Sequence, residues 1–182
     1  MTRADSPLSP EEQAATAGER AQLEAFLDSQ RREVVEKVAG LSNQDMRRRL
    51  VVSLTTLGGL LKHLAAVERS WFQRRLAQRP PDQIDGYPVG DDGSWAIGPD
   101  ATLAELIAEY EAACGESRRI AAGFALDHVV THPRLGRLSL RWVYLHMIEE
   151  TARHAGHADI LREQIDAGSP GHAALRSATS TR

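Results

Sequence analysis

The sequence predicts an all-α protein, a four-helix bundle, on three observations. Four long segments place apolar residues at helical 3–4 spacing, strand-type alternation is nearly absent, and glycine or proline marks the boundaries. The first segment runs from Glu19 to about Ala39, with Leu23, Phe26, Leu27, Gln30, Val34 and Val38 on one face. Gly40 stops it, and Ser42-Asn43-Gln44-Asp45 is a capping-type sequence suited to a short extra turn. A second segment, from about Thr55 to Gln78, carries Leu57, Leu60, Leu61, Leu64, Val67, Trp71, Phe72 and Leu76 and ends at Pro80-Pro81. The third opens on a capping box, Thr102-Leu103-Ala104-Glu105, and continues through Leu106, Ile107, Tyr110 and Cys114 to about Ala122. The fourth begins near Ser139 or Leu140 and reaches about Asp166, with Gly168 beyond it. His128 to Thr131 and Arg137 to Leu140 could be extended, and they read as connector. The long 79–100 connection holds Tyr87 and Trp95 among glycines and prolines, and its length permits an up-down-down-up order.

Composition bounds the function. The 182 residues are 42% hydrophobic and 26% charged, as expected for one soluble domain. Residues 1–18 and 168–182 lack apolar periodicity and read as mobile or disordered tails around a domain over 19–167. A formal charge of -3 argues against a general grip on nucleic acid or anionic lipid. Cys114, the single cysteine, excludes an internal disulfide framework and a multi-cysteine zinc cage. It also reads as a small core residue, not a nucleophile. With no signal-type start and no membrane-length apolar run, a cytoplasmic location is expected.

The fourth segment carries the chemistry. At roughly 100° per residue, His146, Glu150, His154 and His157 fall within an arc of about 80°. Val143 and Leu161 project in nearly the same direction, so this arc faces the bundle interior. Buried imidazoles and a carboxylate need hydrogen bonds, charges or a metal to satisfy them. Glu150 and His154 stand one turn apart and can converge on one ion. A third ligand should come from a neighbouring helix, and the second segment offers His63, close in angle to its apolar stripe; Glu68 also lies inside that stripe, placed behind the ligands or in the pocket. Nitrogen and oxygen donors suit Zn(II), with Ni(II) or Fe(II) also admissible, and three protein ligands leave a position open. Ferritin-like bundles place ligands inside helices by the same logic, although their paired Glu-x-x-His motifs are not met here.

Blander readings apply elsewhere. A lone inward histidine such as His63 is most often a hydrogen-bonded core residue. His128, His132 and His172 lie in connectors or a tail and read as solvated. Trp71, Phe72 and Trp142 read as packing, with Trp71 and Trp142 also placed to line a pocket wall. Arg47-Arg48-Arg49 reads as a solvated helix-end cluster.

The combination LxKHLxxVExxWF in the second segment with LRWVxxHMIEETARHAGHADILRE in the fourth resembles the DinB-like (damage-inducible) superfamily, in particular an actinobacterial branch of unknown function. The resemblance spans roughly Glu19 to Asp166. It implies a four-helix bundle, often homodimeric, with a divalent metal between helices. Aligning the family's His-x-Gly segment with His154-Ala155-Gly156 puts the preceding ligand at Glu150, where many relatives have histidine. The mycothiol-dependent maleylpyruvate isomerase branch uses a His–Glu–His set for zinc. The resemblance therefore implies His63, Glu150 and His154 as metal ligands, with His157 near the open position as ligand, second shell or general base. His146 fits as a partner one turn from Glu150, and the Tyr87–Trp95 loop as a lid or pocket wall. Relatives of known activity are S-transferases or isomerases that use mycothiol or bacillithiol, so the implied partners are a small-molecule thiol and an electrophile. Two other readings are a non-catalytic dimeric metal-binding or stress-response module and a metal-dependent hydrolase with His157 or Glu68 as base.

Overall fold

The computed structural model describes residues 7–88 and 93–168. It is mostly helical: α1 (Pro10–Gln13), α2 (Glu19–Val38), α3 (Leu57–Glu68), α4 (Leu103–Ala121) and α5 (Leu140–Ala167), with β1 (Val129–His132) and β2 (Gly136–Ser139) ahead of α5. α2 packs along α5 and α3 along α4, while α3 also meets α5. Local chemistry sets the starts. Thr56 caps α3 by accepting from Gly59 N at 3.0 Å, Thr102 and Glu105 form the capping box of α4, and Ser139 caps α5. Ser42 accepts from Asp45 N at 3.0 Å and opens a 3₁₀ turn over Asp45–Arg47.

The structure departs from the sequence reading in five places. Residues 10–13, assigned to the N-terminal tail, form a capped helical turn against α2. On α2 the buried face is Leu27, Arg31, Val34 and Val38, whereas Phe26 is 48% exposed. The second helical segment is not uniform, since after Glu68 it continues as a π-helix over Arg69–Leu76. Ala77 N there bonds to Phe72 O five residues back. The widened turn keeps Arg69, Phe72, Gln73 and Leu76 buried and leaves Trp71 half-buried. The two stretches read as connector pair as an antiparallel hairpin, Val129 opposite Ser139 and His132 opposite Gly136. The turn is closed by His132 Nδ1, which accepts from Arg134 N and Leu135 N at 3.2 Å each. Finally, the arginine triplet is not uniformly solvated: Arg47 donates to Gly98 O and Ala101 O at 2.8 and 2.6 Å and pins that loop. The C-terminal tail beyond Gly168, with His172, lies outside the described residues.

Two apolar clusters fill the interior. One gathers Val34, Val38, Met46, Leu57 to Leu64, Tyr110 and the Ala155–Ile165 side of α5. The other gathers Leu27, Phe72, Leu76, Ile120, Val130, Leu140 and Met147. Every long helix changes from one cluster to the other at a polar residue: Arg31 on α2, Glu68 on α3, Ser117 on α4 and Thr151 on α5, all buried. The functional candidates sit beside this polar layer.

Candidate metal centre

His63 projects from the second turn of α3, and Glu150 and His154 from consecutive turns of α5. Spacing of four residues stacks the latter pair on one face. One oxygen organises the cluster. Glu150 Oε1 stands 3.2 Å from His154 Nε2 and 3.5 Å from His63 Nε2. One donor atom from each of the three residues lies within 4.8 Å of the others. A tetrahedral ion with bonds near ~2.1 Å holds its donors about 3.4 Å apart, so the spacing fits a small divalent cation after slight adjustment. The donor set of two imidazoles and a carboxylate suits zinc, nickel or ferrous iron.

Burial is partial and uneven: the His154, Glu150 and His63 side chains are 11%, 17% and 18% exposed. Hydrogen bonds from His154 and then His63 hold the Glu150 carboxyl well below the ordinary carboxylate range, against the opposing effect of burial. Arg153 Nη1 adds a longer contact to Glu150 Oε2 at 3.5 Å.

The far sides of the imidazoles are also engaged. His63 Nδ1 lies 3.2 Å from Ser94 Oγ, and its ring stacks on Trp95 at 4.1 Å and 11°. His154 meets the Trp95 edge at 5.7 Å. His154 Nδ1 faces His157 Nδ1 at 3.4 Å. A hydroxyl can donate or accept, so Ser94 can satisfy either tautomer of His63. His157 itself is exposed and borders a groove of about 260 Å³ with Val51, Ser53, Thr55, Ile160 and Leu161.

Other candidates fall elsewhere. Glu68 does not join the cluster. Arg31 Nε and Nη2 hold its two oxygens at 2.8 and 2.6 Å, and it is 1% exposed. His146 makes ring contacts instead of a hydrogen bond to Glu150: it stacks on Trp142 at 5.3 Å and 10° and packs on Trp71 at 4.6 Å. Burial pushes the His146 imidazole down. Trp71 and Trp142 lie 5.4 Å apart in that same group. His132, read as solvated, stacks on Trp71 at 5.5 Å. Cys114 is buried, and desolvation followed by the nearby Glu68 charge pushes its thiol up. Of the Tyr87–Trp95 loop, Ser94 and Trp95 reach the cluster, Tyr87 sits in a turn with Ile84, and residues 89–92 lie outside the described set.

Ser94 and Arg31 were missed from sequence. Arg31 occupies a heptad-like position between Leu27 and Val34, which a search for apolar residues passes over. Trp95 owes its place to Gly58-Gly59 in the first turn of α3. A Cβ on Gly59 would stand 3.2 Å from Trp95 O, and one on Gly58 would stand 3.1 Å from Ile97. Glycine pairs inside a helix are a readable sign of such close approach.

A helical fold in which two imidazoles and a carboxylate converge between helices could hold a metal ion. More specifically, the Mycothiol-S-transferase family matches residues 22–167, and the chain belongs to it. That family lies in the DinB-like group. Among curated proteins, no sequence matches the chain. No helix among the described residues is long and apolar enough to cross a membrane.

Proposed function

We propose that the protein is a mycothiol-dependent S-transferase whose centre is a divalent metal, zinc in our reading, held by His63, Glu150 and His154 in a four-helix bundle. One observation carries this reading: within a chain of the mycothiol-S-transferase family, three metal-type donors from two helices converge, and the residues against them, Trp95 and His157, each line an open groove. A divalent cation held there lowers the pKa of a thiol and favours its thiolate form.

The remaining chemistry belongs to the chain. Ser94 Oγ accepts the Nδ1 proton of His63 once Nε2 is committed as a ligand, which fixes that ring's tautomer. His154 Nδ1–H is oriented by His157 Nδ1 in the same way. With Nδ1 accepting from His154, His157 Nε2 carries that ring's proton at an exposed position and can donate a hydrogen bond to an incoming group, while the thiol gives up its proton to solvent. Trp95 covers the His63 ring and keeps water off that flank. The sulfur then bonds to the electrophilic carbon as the bond to the leaving group breaks.

Metal analysis of the untagged protein tests the centre. The wild type retains a divalent metal, and His63→Ala or Glu150→Gln loses it. Mycothiol consumption against a panel of electrophiles stops with chelator and returns with added zinc. Wild-type metal content in His63→Ala, or thiol consumption indifferent to chelator, overturns the reading.

A further inference from the structure

Residues 51–56 border two grooves, with Val51, Ser53 and Thr55 in one and Leu54 and Thr56 in the other. One is the neutral groove at His157, whose hydroxyls Ser53 and Thr55 bond to each other at 2.9 Å. The other, of about 300 Å³, is lined by Arg47, Arg49, Leu54, Thr56, Trp95, Ala96 and Ile97. Trp95 lines this second groove and also stacks on His63 of the cluster.

The second groove is apolar with a cationic end. Arg47 has spent its guanidinium on Gly98 O and Ala101 O, and Arg48 is paired with Asp45 at 3.5 Å. Arg49 is exposed and has no hydrogen bond or ion pair among the described residues. Among the described residues, no carboxylate lines the groove. A guanidinium beside leucine, isoleucine and indole walls matches a ligand with an apolar body and an anionic end, and its planar fork matches a carboxylate.

We propose that this groove is the electrophile's subsite and that Arg49 selects carboxylate-bearing electrophiles, while the thiol enters by the neutral groove. The proposal rests on the transferase reading above. With 4-(chloromethyl)benzoate, the thiol sulfur bonds to the benzylic carbon, the C–Cl bond breaks, and chloride leaves with the electron pair. The thiol's proton goes to solvent.

Two measurements test it in the zinc-loaded full chain. In turnover with mycothiol, Arg49→Gln lowers kcat/KM for 4-(chloromethyl)benzoate about tenfold, Arg49→Glu lowers it further, and the KM for mycothiol stays put. The methyl ester of the same electrophile changes less than about twofold. In calorimetric binding without thiol, 4-methylbenzoate binds more tightly than its methyl ester, and Arg49→Gln removes the difference. Equal losses for acid and ester, a raised mycothiol KM, or acid binding indifferent to Arg49 overturns the subsite. If Arg49-dependent acid binding persists while no electrophile is consumed, the anion subsite stands and the transferase reading falls.

Discussion

Two glutamates sit within the apolar faces of neighbouring helices, and their partners separate structure from chemistry. Glu68, 1% exposed, is closed off by a bidentate Arg31, whose third contact goes to Asp28 at 2.8 Å and whose guanidinium lies over the Phe72 ring at 5.8 Å. Glu150, 17% exposed, is held by two imidazoles. Guanidinium carries no lone pair to offer and does not deprotonate in a protein, so the Arg31–Glu68 pair has one state. An imidazole can exchange its Nε2 proton for a cation, so the Glu150 group has at least two. A buried carboxylate alone therefore says little; the exchangeability of its partners decides what it can do.

The largest expected effect follows from the closed pair. Glu68→Ala strands Arg31 in the core and costs about 3–5 kcal/mol in urea unfolding, while metal content stays at the wild-type level. Replacing both, Arg31→Met with Glu68→Leu, recovers most of that loss. The comparison breaks if Glu68→Ala also empties the metal centre. At the open cluster the pattern reverses. Glu150→Gln lowers metal affinity in chelator competition by more than about 100-fold, beyond the usual effect of losing a residue behind a ligand. It also destabilises the metal-free chain, because two imidazoles lose their charged acceptor, but by less than Glu68→Ala does.

Next comes alkaline pH, which probes the layer around Glu68. Burial raises the Cys114 thiol above its unfolded value, so the native state keeps a proton that the unfolded chain loses. Stability contributed this way is intact below about pH 8.5 and falls as pH rises, by roughly 1.4 kcal/mol per unit. Urea unfolding at successive pH values shows that slope, and Cys114→Ala reduces it. Equal slopes in the two proteins would remove Cys114 as the cause.

Local signals made much of this legible in the sequence. Thr102–Glu105 and Ser139 act on their own first turns, and the His146–His157 arc follows from helix geometry alone, so α4, α5 and the Glu150–His154 pair needed no tertiary information. What escaped depends on contacts between distant parts of the chain. The π-helical turn after Glu68 keeps Arg69 in reach of Glu109 on α4 at 2.7 Å. The hairpin is fixed by backbone pairing that short polar strands do not advertise. Glu68 looked like part of the site's surroundings because apolar periodicity marks a buried face without naming the arginine across from it. His146 looked like a partner of Glu150 because angle along one helix says nothing about the tryptophan that α3's continuation brings against it.

The smallest expected effect sharpens the comparison most finely, because it moves the wall of the open cluster without touching a donor. A Cβ at Gly59 would meet Trp95 O at 3.2 Å and Thr56 Oγ1 at 3.1 Å. The cap and the loop backbone must both shift to admit it. Helix propensity pulls the other way, since alanine is favoured over glycine by about 1 kcal/mol within a helix. Gly59→Ala is therefore nearly neutral in overall stability. Its cost falls on Trp95 and Ser94, which leave the far side of His63, and metal affinity drops by about tenfold. Gly98→Ala, where a Cβ meets nothing within 4 Å, serves as the matched control and leaves affinity unchanged. Chelator competition on the two variants decides the point. Equal affinities would mean that His63 is oriented from within α3 alone, and that the loop shields the cluster without positioning it.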